Sequence, residues 1–204
     1  MTTITTVQEH RDDTGSRMGM WLFLFTELIL FGGMFLVYAV YRFKFPDEFR
    51  LGAHELNDFI GAVNTIILLT SSLTVAMSIT AIQQGKKFLS VTFLGMTQLM
   101  AVAFLVNKYF EWSHKFSSGL FPQSPILLQK PHGEILYFGL YYVMTGLHAI
   151  HVIIGMVILG VMMIFIMRNS INQNSYVRLE SGGLYWHLVD IIWIFLFPLF
   201  YLIH

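Results

Sequence analysis

Five long apolar runs, separated by polar segments, dominate the pattern of the chain. They cover residues 18–41, 59–82, 88–107, 135–167 and 182–203. A helix needs about 20 apolar residues to cross a hydrocarbon core of roughly 30 Å. Each run meets that length, and within lipid each must be helical because no water satisfies free backbone groups there. The pattern therefore predicts an all-α integral membrane protein, a bundle of five transmembrane helices.

The fourth run, residues 135–167, is longer than one crossing requires. As a single helix it would extend about 50 Å, so we expect it to tilt or to reach beyond one membrane face. Two crossings within it would each be too short. Residues 1–17 are expected to form a polar N-terminal tail and not a cleaved signal peptide. Residues 18–204 are expected to form one membrane domain.

Composition agrees with a membrane location. Of the 204 residues, 55% are apolar and only 12% are charged, whereas soluble domains carry about 25% charged residues. Twelve basic residues balance twelve acidic ones, which argues against a nucleic-acid partner. The chain has no cysteine, so disulfides, iron–sulfur clusters and thiolate metal sites are excluded.

The distribution of positive charge gives only a weak indication of orientation. With five crossings the two ends lie on opposite sides, and the lysines and arginines divide evenly between the two sets of connecting segments. The segments on the side of the N-terminus are shorter and so denser in positive charge. The positive-inside rule therefore favours an N-terminus on the inner side.

Glu27 is the single charged residue of the first apolar run. An ionised acid at the centre of a membrane helix costs about 2.5–3.5 kcal/mol on insertion scales unless it is paired or neutralised. The simpler interpretation is a protonated acid that forms a hydrogen bond to a neighbouring helix. The alternative is a member of a proton relay.

His148 and His151 are three residues apart on the fourth predicted helix and share a face with Gly155. A metal would need further ligands, and axial haem ligands normally come from different helices. We therefore expect no metal site here. The favoured role is a hydrogen bond from one of these imidazoles to Glu27, which would fix the packing of the first and fourth helices.

The fifth predicted helix carries His187 and Asp190, again three residues apart, and each is expected to satisfy the other within the bundle. Trp186 and Trp193 would form one aromatic ridge. Tryptophan near a helix end is typical of a membrane interface, and Trp186 is accordingly expected to contact lipid.

Small polar residues form a stripe along one face of the second predicted helix: Asn64, Ser71, Thr74 and Ser78. Such a stripe is typical of a seam where membrane helices pack closely and form hydrogen bonds. Gly155 fits close packing in the same way. A hydrophilic transport path is the alternative for the stripe. Residues 108–134 are expected to form a loop on the outer face.

Five motifs, taken in order, resemble subunit III of haem–copper respiratory oxidases, the cytochrome c oxidase subunit 3 family. They are TELILF at residues 26–31, NTIILLTSS at 64–72, KYFE at 108–111, TGLHAIHVIIG at 145–155 and YWHLVDIIW at 185–193. The first two helices of the seven-helix form of the family have no counterpart, so the chain is similar to the short five-helix bacterial form.

This resemblance implies a role without catalysis. In the family, subunit III binds no haem or copper, packs against the catalytic subunit I of a complex that also contains subunit II, holds structural phospholipid and sustains proton uptake. Glu27 matches the buried glutamate of the family, and His148 or His151 matches its hydrogen-bonding partner. Arg168 falls where a basic residue lies near lipid headgroups. The implied location is the bacterial plasma (inner) membrane, with the N-terminus cytoplasmic and the C-terminus periplasmic.

Four alternatives remain open at this point. The family also serves quinol oxidases, and related accessory proteins assist nitric oxide reductases. Glu27 and the Tyr-Trp-His sequence at residues 185–187 favour the cytochrome c class. A small proton-coupled transporter would use the polar stripe, but inverted repeats with broken helices, typical of many transporters, are not evident. A membrane cytochrome would ligate haem through His148 or His187.

Overall fold

The structure, a computed structural model, describes residues 13–173 and 175–203. Over these residues the chain is helical, with an isolated bridge between Asn172 and Ser175 and no longer strand. Seven helices follow one another along the described chain: α1 (Asp13–Lys44), α2 (Pro46–His54), α3 (Asp58–Gln83), α4 (Lys87–Ser117), α5 (Pro125–Leu128), α6 (His132–Met167) and α7 (Val177–Tyr201).

Five of these helices, α1, α3, α4, α6 and α7, are long and apolar enough to cross a membrane. The prediction of an all-α protein with five transmembrane helices is therefore confirmed. Because consecutive long helices run in opposite directions, their ends define two faces. The N-terminal face holds the start of α1 and the α3–α4 and α6–α7 links. The C-terminal face holds α2, α5 and the end of α7.

Several helices extend beyond the apolar runs that indicate them. α1 begins at Asp13, inside the expected polar tail, whereas residues 1–12 of that tail lie outside the described residues. α4 continues to Ser117, through the first part of the expected loop at residues 108–134. An apolar run marks the part of a helix that lies within the membrane region, and the backbone hydrogen bonds continue past it. α6 is a single helix of 36 residues.

Local signals in the sequence set several helix ends. Asn57 caps α3, because its side-chain oxygen accepts hydrogen bonds from the amides of Phe59 (3.0 Å) and Ile60 (3.3 Å). Pro46 opens α2, where its missing N–H costs nothing. Gly85 turns the chain between α3 and α4 with a φ of 73°, a conformation that favours glycine. These turns place α3 and α4 side by side and antiparallel.

The core lies around α7, which packs against α1, α3 and α6. α7 is the most buried of the long helices, and its Trp186 and Trp193 are completely enclosed. α1 lies at the edge of the bundle and exposes most of its apolar side chains, for example Trp21 and Leu36.

Candidate functional site

Glu27 on α1 and His151 on α6 form a hydrogen-bonded pair inside the predicted membrane region. Glu27 Oε2 lies 2.9 Å from His151 Nε2, and both side chains are largely buried. The imidazole also stands edge-on to the ring of Phe31 and is stacked near that of Tyr185. The pair thus joins the peripheral helix α1 to the core helix α6.

The other ring nitrogen of His151 determines how many protons the pair holds. Nδ1 lies 2.8 Å from the carbonyl oxygen of Leu147, one turn earlier on α6. A carbonyl oxygen only accepts hydrogen bonds, so Nδ1 carries a proton and donates it. One further proton then lies between Nε2 and the carboxyl group. The pair is either a neutral imidazole with a carboxylic acid or an imidazolium with a carboxylate, and its net charge is zero in both forms.

His148, the second candidate partner of Glu27, lies elsewhere in the bundle. It is fully buried between the rings of Phe104 on α4 and Trp193 on α7, whose centroids lie 5.6 and 5.2 Å from its own. Among the residues that the structure describes, neither of its ring nitrogens has a hydrogen-bond partner. The structure therefore assigns the contact with Glu27 to His151, a choice that the sequence left open.

The expected contact between His187 and Asp190 is wrong. His187 Nδ1 lies 2.5 Å from the hydroxyl of Ser72 on α3. Asp190 is buried, and its carboxyl oxygens have no partner with hydrogen-bond geometry in the described part of the chain. Residues three apart on a helix differ in direction by about 60°, and here His187 turns to α3 instead of along its own helix.

The polar stripe of α3 meets partners on two neighbouring helices. The Asn64 side chain accepts a hydrogen bond from Asn107, and the hydroxyls of Thr74 and Ser78 lie 2.7 and 2.8 Å from those of Thr97 and Ser90 on α4. All four residues of the stripe are buried. Ser71 instead faces α7. These contacts pack the stripe against α4 and α7, as expected for a seam between helices.

The lipid contact expected for Trp186 is also wrong. Trp186 is fully buried, and its indole Nε1 donates a hydrogen bond of 3.0 Å to Ser71 Oγ. Its ring packs on Gly155 of α6, where a Cβ atom would lie only 2.7 Å from Trp186 Cε3. The indole has both a hydrogen-bond donor and a large apolar face. Ser71 on α3 accepts the hydrogen bond, and Gly155 on α6 packs against the apolar face. Arg168, by contrast, follows the end of α6 and is exposed.

A buried charged cluster at the C-terminal face was not anticipated from the sequence. Lys108 Nζ on α4 lies 3.2 Å from Glu111 Oε2 and donates to the hydroxyls of Tyr141 (3.2 Å) and Tyr201 (2.8 Å). Glu111 in turn accepts hydrogen bonds from both phenols. The Lys108 ammonium also lies 5.1 Å from the ring centre of Trp193. All of these side chains are buried.

This cluster was missed because Lys108 follows an apolar run and therefore resembles the start of a solvated loop. The spacing of Lys108 and Glu111, three residues apart, is itself the signal of a helical ion pair. Within residues 13–173 and 175–203, no three His, Asp or Glu side chains come together in a way that could hold a metal ion. The site therefore consists of one proton-sharing pair, one buried ion pair and several hydroxyl contacts between helices.

Comparisons with known proteins agree on one family. The family model described as "Cytochrome c oxidase subunit III" matches residues 2–204. A cytochrome c oxidase subunit 3 of Synechocystis sp. is 32% identical over 91% of this chain and 74% of that protein. A cytochrome bo(3) ubiquinol oxidase subunit 3 of Pseudomonas putida is 30% identical over 91% of this chain and 84% of that protein.

A third relative is a fusion. The haem–copper oxidase subunit I+III of Aeropyrum pernix is 30% identical over 92% of this chain. The matched region is only 22% of that protein. A sequence similar to this one is therefore joined, in that organism, to a subunit I sequence within a single polypeptide.

Proposed function

Because the chain belongs to the cytochrome c oxidase subunit III family, we propose that it is the non-catalytic subunit III of a proton-pumping haem–copper terminal oxidase, which reduces oxygen to water. In this role it packs against the catalytic subunit I, in a complex that also contains subunit II, and carries no redox centre itself. The observation that carries the proposal is the hydrogen bond between Glu27 and His151.

The contacts of His148 and His151 with other residues of the chain support a role without haem. Both ring nitrogens of His151 already take part in hydrogen bonds, one to Leu147 and one to Glu27. His148 is fully buried and lies against the aromatic rings of Phe104 and Trp193. An imidazole that is fixed in this way stabilises helix packing, which is the function expected of a scaffold subunit.

The proposed mechanism is indirect. Glu27 and His151 hold α1 against α6, so that α1 and its exposed apolar side chains form a stable surface for lipid and for subunit I. The pair also keeps one exchangeable proton between α1 and α6, which would help retain water near the proton uptake pathway of the complex. Structural phospholipid would bind beside Arg168, at the N-terminal face.

Location and orientation belong to the same proposal. The chain is a multi-pass membrane protein with five helices that could span a bilayer. We place it in the bacterial plasma membrane, with the N-terminal face cytoplasmic and the C-terminal face periplasmic. The denser positive charge of the segments at the N-terminal face supports this orientation.

The direct test is to purify the native assembly through an affinity tag on this chain and to identify its subunits by mass. The proposal predicts co-purification with a subunit that contains haem and copper, and an isolated chain without a Soret band. Recovery of the chain alone, or with subunits of a transporter, would contradict the proposal.

A quinol oxidase is the second candidate, because the Pseudomonas putida relative is a ubiquinol oxidase subunit covered over most of its length. The two candidates differ in electron donor. Oxygen uptake by the purified complex with reduced cytochrome c, and separately with a ubiquinol analogue, distinguishes them. We expect cytochrome c to be the donor, and activity with ubiquinol alone would favour the second candidate.

A further inference from the structure

An open groove runs along α7 between α1 and α3. Both of these helices contact α7, but among the residues that the structure describes they do not contact each other. The strip of α7 between them carries four residues at spacings of three, four and three: Leu184, His187, Ile191 and Ile194. Ile191 and Ile194 are 47% and 41% exposed. This strip forms the floor of the groove, and its spacing is typical of a helix face that packs against a second helix.

The wall that α3 contributes begins with small side chains. Ser72 touches the floor at His187, and Ala76 lies one turn further along the same side of α3. Ser72 is partly exposed and Ala76 is exposed. Other exposed positions of α3 carry larger side chains, for example Ile66 and Leu73. Small residues four apart are typical of a surface where another membrane helix approaches closely.

A polar contact interrupts the apolar floor of the groove. His187 Nδ1 lies 2.5 Å from Ser72 Oγ. Nδ1 is the acceptor with hydrogen-bond geometry for this hydroxyl, since the oxygens of the neighbouring Asp190 have no such partner within the described residues. The Ser72 hydroxyl therefore donates to Nδ1. In a neutral imidazole, which the membrane interior favours over the charged form, the ring proton then lies on Nε2.

The Nε2–H group of His187 lacks an acceptor in residues 13–173 and 175–203, and unlike the ring nitrogens of His148 it is not enclosed by the protein. His187 lies seven residues, about 10 Å, along α7 from Glu180, which pairs with Arg17 at the N-terminal face. At that depth the hydrocarbon offers no acceptor, and an unpaired polar group is costly. The acceptor must therefore come from a protein segment that itself lies within the membrane.

We propose that a transmembrane helix of another subunit of the oxidase lies in this groove, and that a side-chain oxygen of that helix accepts a hydrogen bond from His187 Nε2. The inference rests on the proposed function, because it takes the partner from that complex. A helix with its side chains is about 10 Å wide, and the small residues of α3 allow it to approach closely. Apolar packing alone leaves such a helix free to slide or rotate. The bond to His187, which has no part in the contact between Glu27 and His151, fixes its depth and its rotation.

The first test identifies what lies in the groove of the complex purified from its native membrane. A photoreactive amino acid is incorporated in place of Ile191, and after irradiation the crosslinked peptides are identified by mass. We expect crosslinks to a transmembrane peptide of another subunit. Crosslinks to lipid alone, or to a second copy of this chain, would overturn the proposal. The complex is still recovered in that case, whereas failure of the proposed function is recognised by a chain that purifies without oxidase subunits.

The second test separates the bond to the partner from the bond within the chain. His187→Phe and Ser72→Ala both remove the hydrogen bond between α3 and α7, but Ser72→Ala keeps the Nε2–H group. The measurement is the ratio of lost to retained partner subunit when the immobilised complex is washed with detergent. His187→Phe should raise that ratio about fivefold, which corresponds to about 1 kcal/mol for a hydrogen bond between membrane helices. Ser72→Ala should leave the ratio close to that of the unaltered complex. Equal effects of the two variants, or no effect of His187→Phe, would overturn the proposal.

Discussion

The carboxyl group of Glu27 on α1 and the Nε2 atom of His151 on α6 lie 2.9 Å apart and form a hydrogen bond between the two helices. α1 is the least buried of the long helices, and hydrogen bonds from Tyr38 to the Leu199 carbonyl and from Arg17 to Glu180 also join it to α7. The hydrogen bond is therefore expected to be worth more here than on a helix that is surrounded by others. This relationship motivates the first prediction.

Glu27→Ala should leave the complex assembled but shorten its lifetime during turnover. Loss of the carboxyl group leaves His151 Nε2 buried without a partner, which costs about 1–3 kcal/mol. The measurement is the rate of activity loss of the purified complex under continuous turnover. We expect faster inactivation than in the unaltered complex, with a similar initial rate.

Glu27→Gln is the variant that separates packing from proton exchange. The amide group of glutamine can donate a hydrogen bond to the neutral imidazole, so the contact between α1 and α6 is kept while the exchangeable proton of the acid is lost. We expect inactivation kinetics close to those of the unaltered complex. If Glu27→Gln inactivates as fast as Glu27→Ala, the proton itself is required and the packing role is wrong.

Gly155→Ala should destabilise the bundle. The new Cβ atom would lie 2.7 Å from Cε3 of Trp186, a rigid ring enclosed on all sides. Forcing a methyl group into such a site typically costs about 1–3 kcal/mol. Gly139→Ala on the same helix is the control, because no atom lies within 4 Å of the corresponding Cβ. Thermal unfolding in detergent should show a lower transition for Gly155→Ala alone, and equal effects of the two variants would contradict the packing described here.

The buried ion pair of Lys108 and Glu111 should show strong coupling. Glu111→Leu leaves the Lys108 cation buried without its counter-charge, and removing one partner of a buried pair typically costs about 3–5 kcal/mol. The double variant Lys108→Met/Glu111→Leu removes both charges and should recover most of the lost stability. A double-mutant cycle of thermal stability measures this. Additive losses, with the double variant worse than either single one, would show that the two side chains do not act as a pair.

The orientation of the chain gives a fifth prediction. A fluorescent protein fused at the N-terminus should fluoresce in the cytoplasm, and alkaline phosphatase fused at the C-terminus should be active in the periplasm. Lysines and arginines are divided evenly between the two faces, so this outcome depends on charge density in the shorter segments. Active alkaline phosphatase fused at the N-terminus would show that the N-terminus is periplasmic, opposite to the proposed orientation.

The fold was predictable because membrane helices follow from apolar run length alone. The backbone requirement for internal hydrogen bonds makes each crossing a helix. Residues 135–167 fall within a single helix because two crossings within them would each be too short. The ends were less predictable. α4 continues past Lys108 to Ser117. Lys108 can lie inside the protein because Glu111 balances its charge and the hydroxyls of Tyr141 and Tyr201, from distant parts of the sequence, accept its hydrogen bonds.

The site was predictable only in part, since helical periodicity gives the face of a side chain but not the helix that it meets. The sequence indicated that Glu27 needs a hydrogen-bond partner, and it offered two histidines one turn apart, His148 and His151. Only the packing of the helices shows that His151 is the partner. For His187 and Trp186, too, the sequence did not show which helix each side chain would contact. Their partners, Ser72 and Ser71, lie on α3, and the arrangement of α3 beside α7 is a property of the whole bundle.

The central claim is that this chain supports a terminal oxidase without carrying one of its redox centres. The most direct measurement compares the complex purified with and without this chain for haem content, copper content, initial turnover and lifetime during turnover. We predict equal haem and copper per catalytic subunit and similar initial turnover, with a shorter lifetime when the chain is missing. Loss of a haem or copper centre together with this chain would contradict the account.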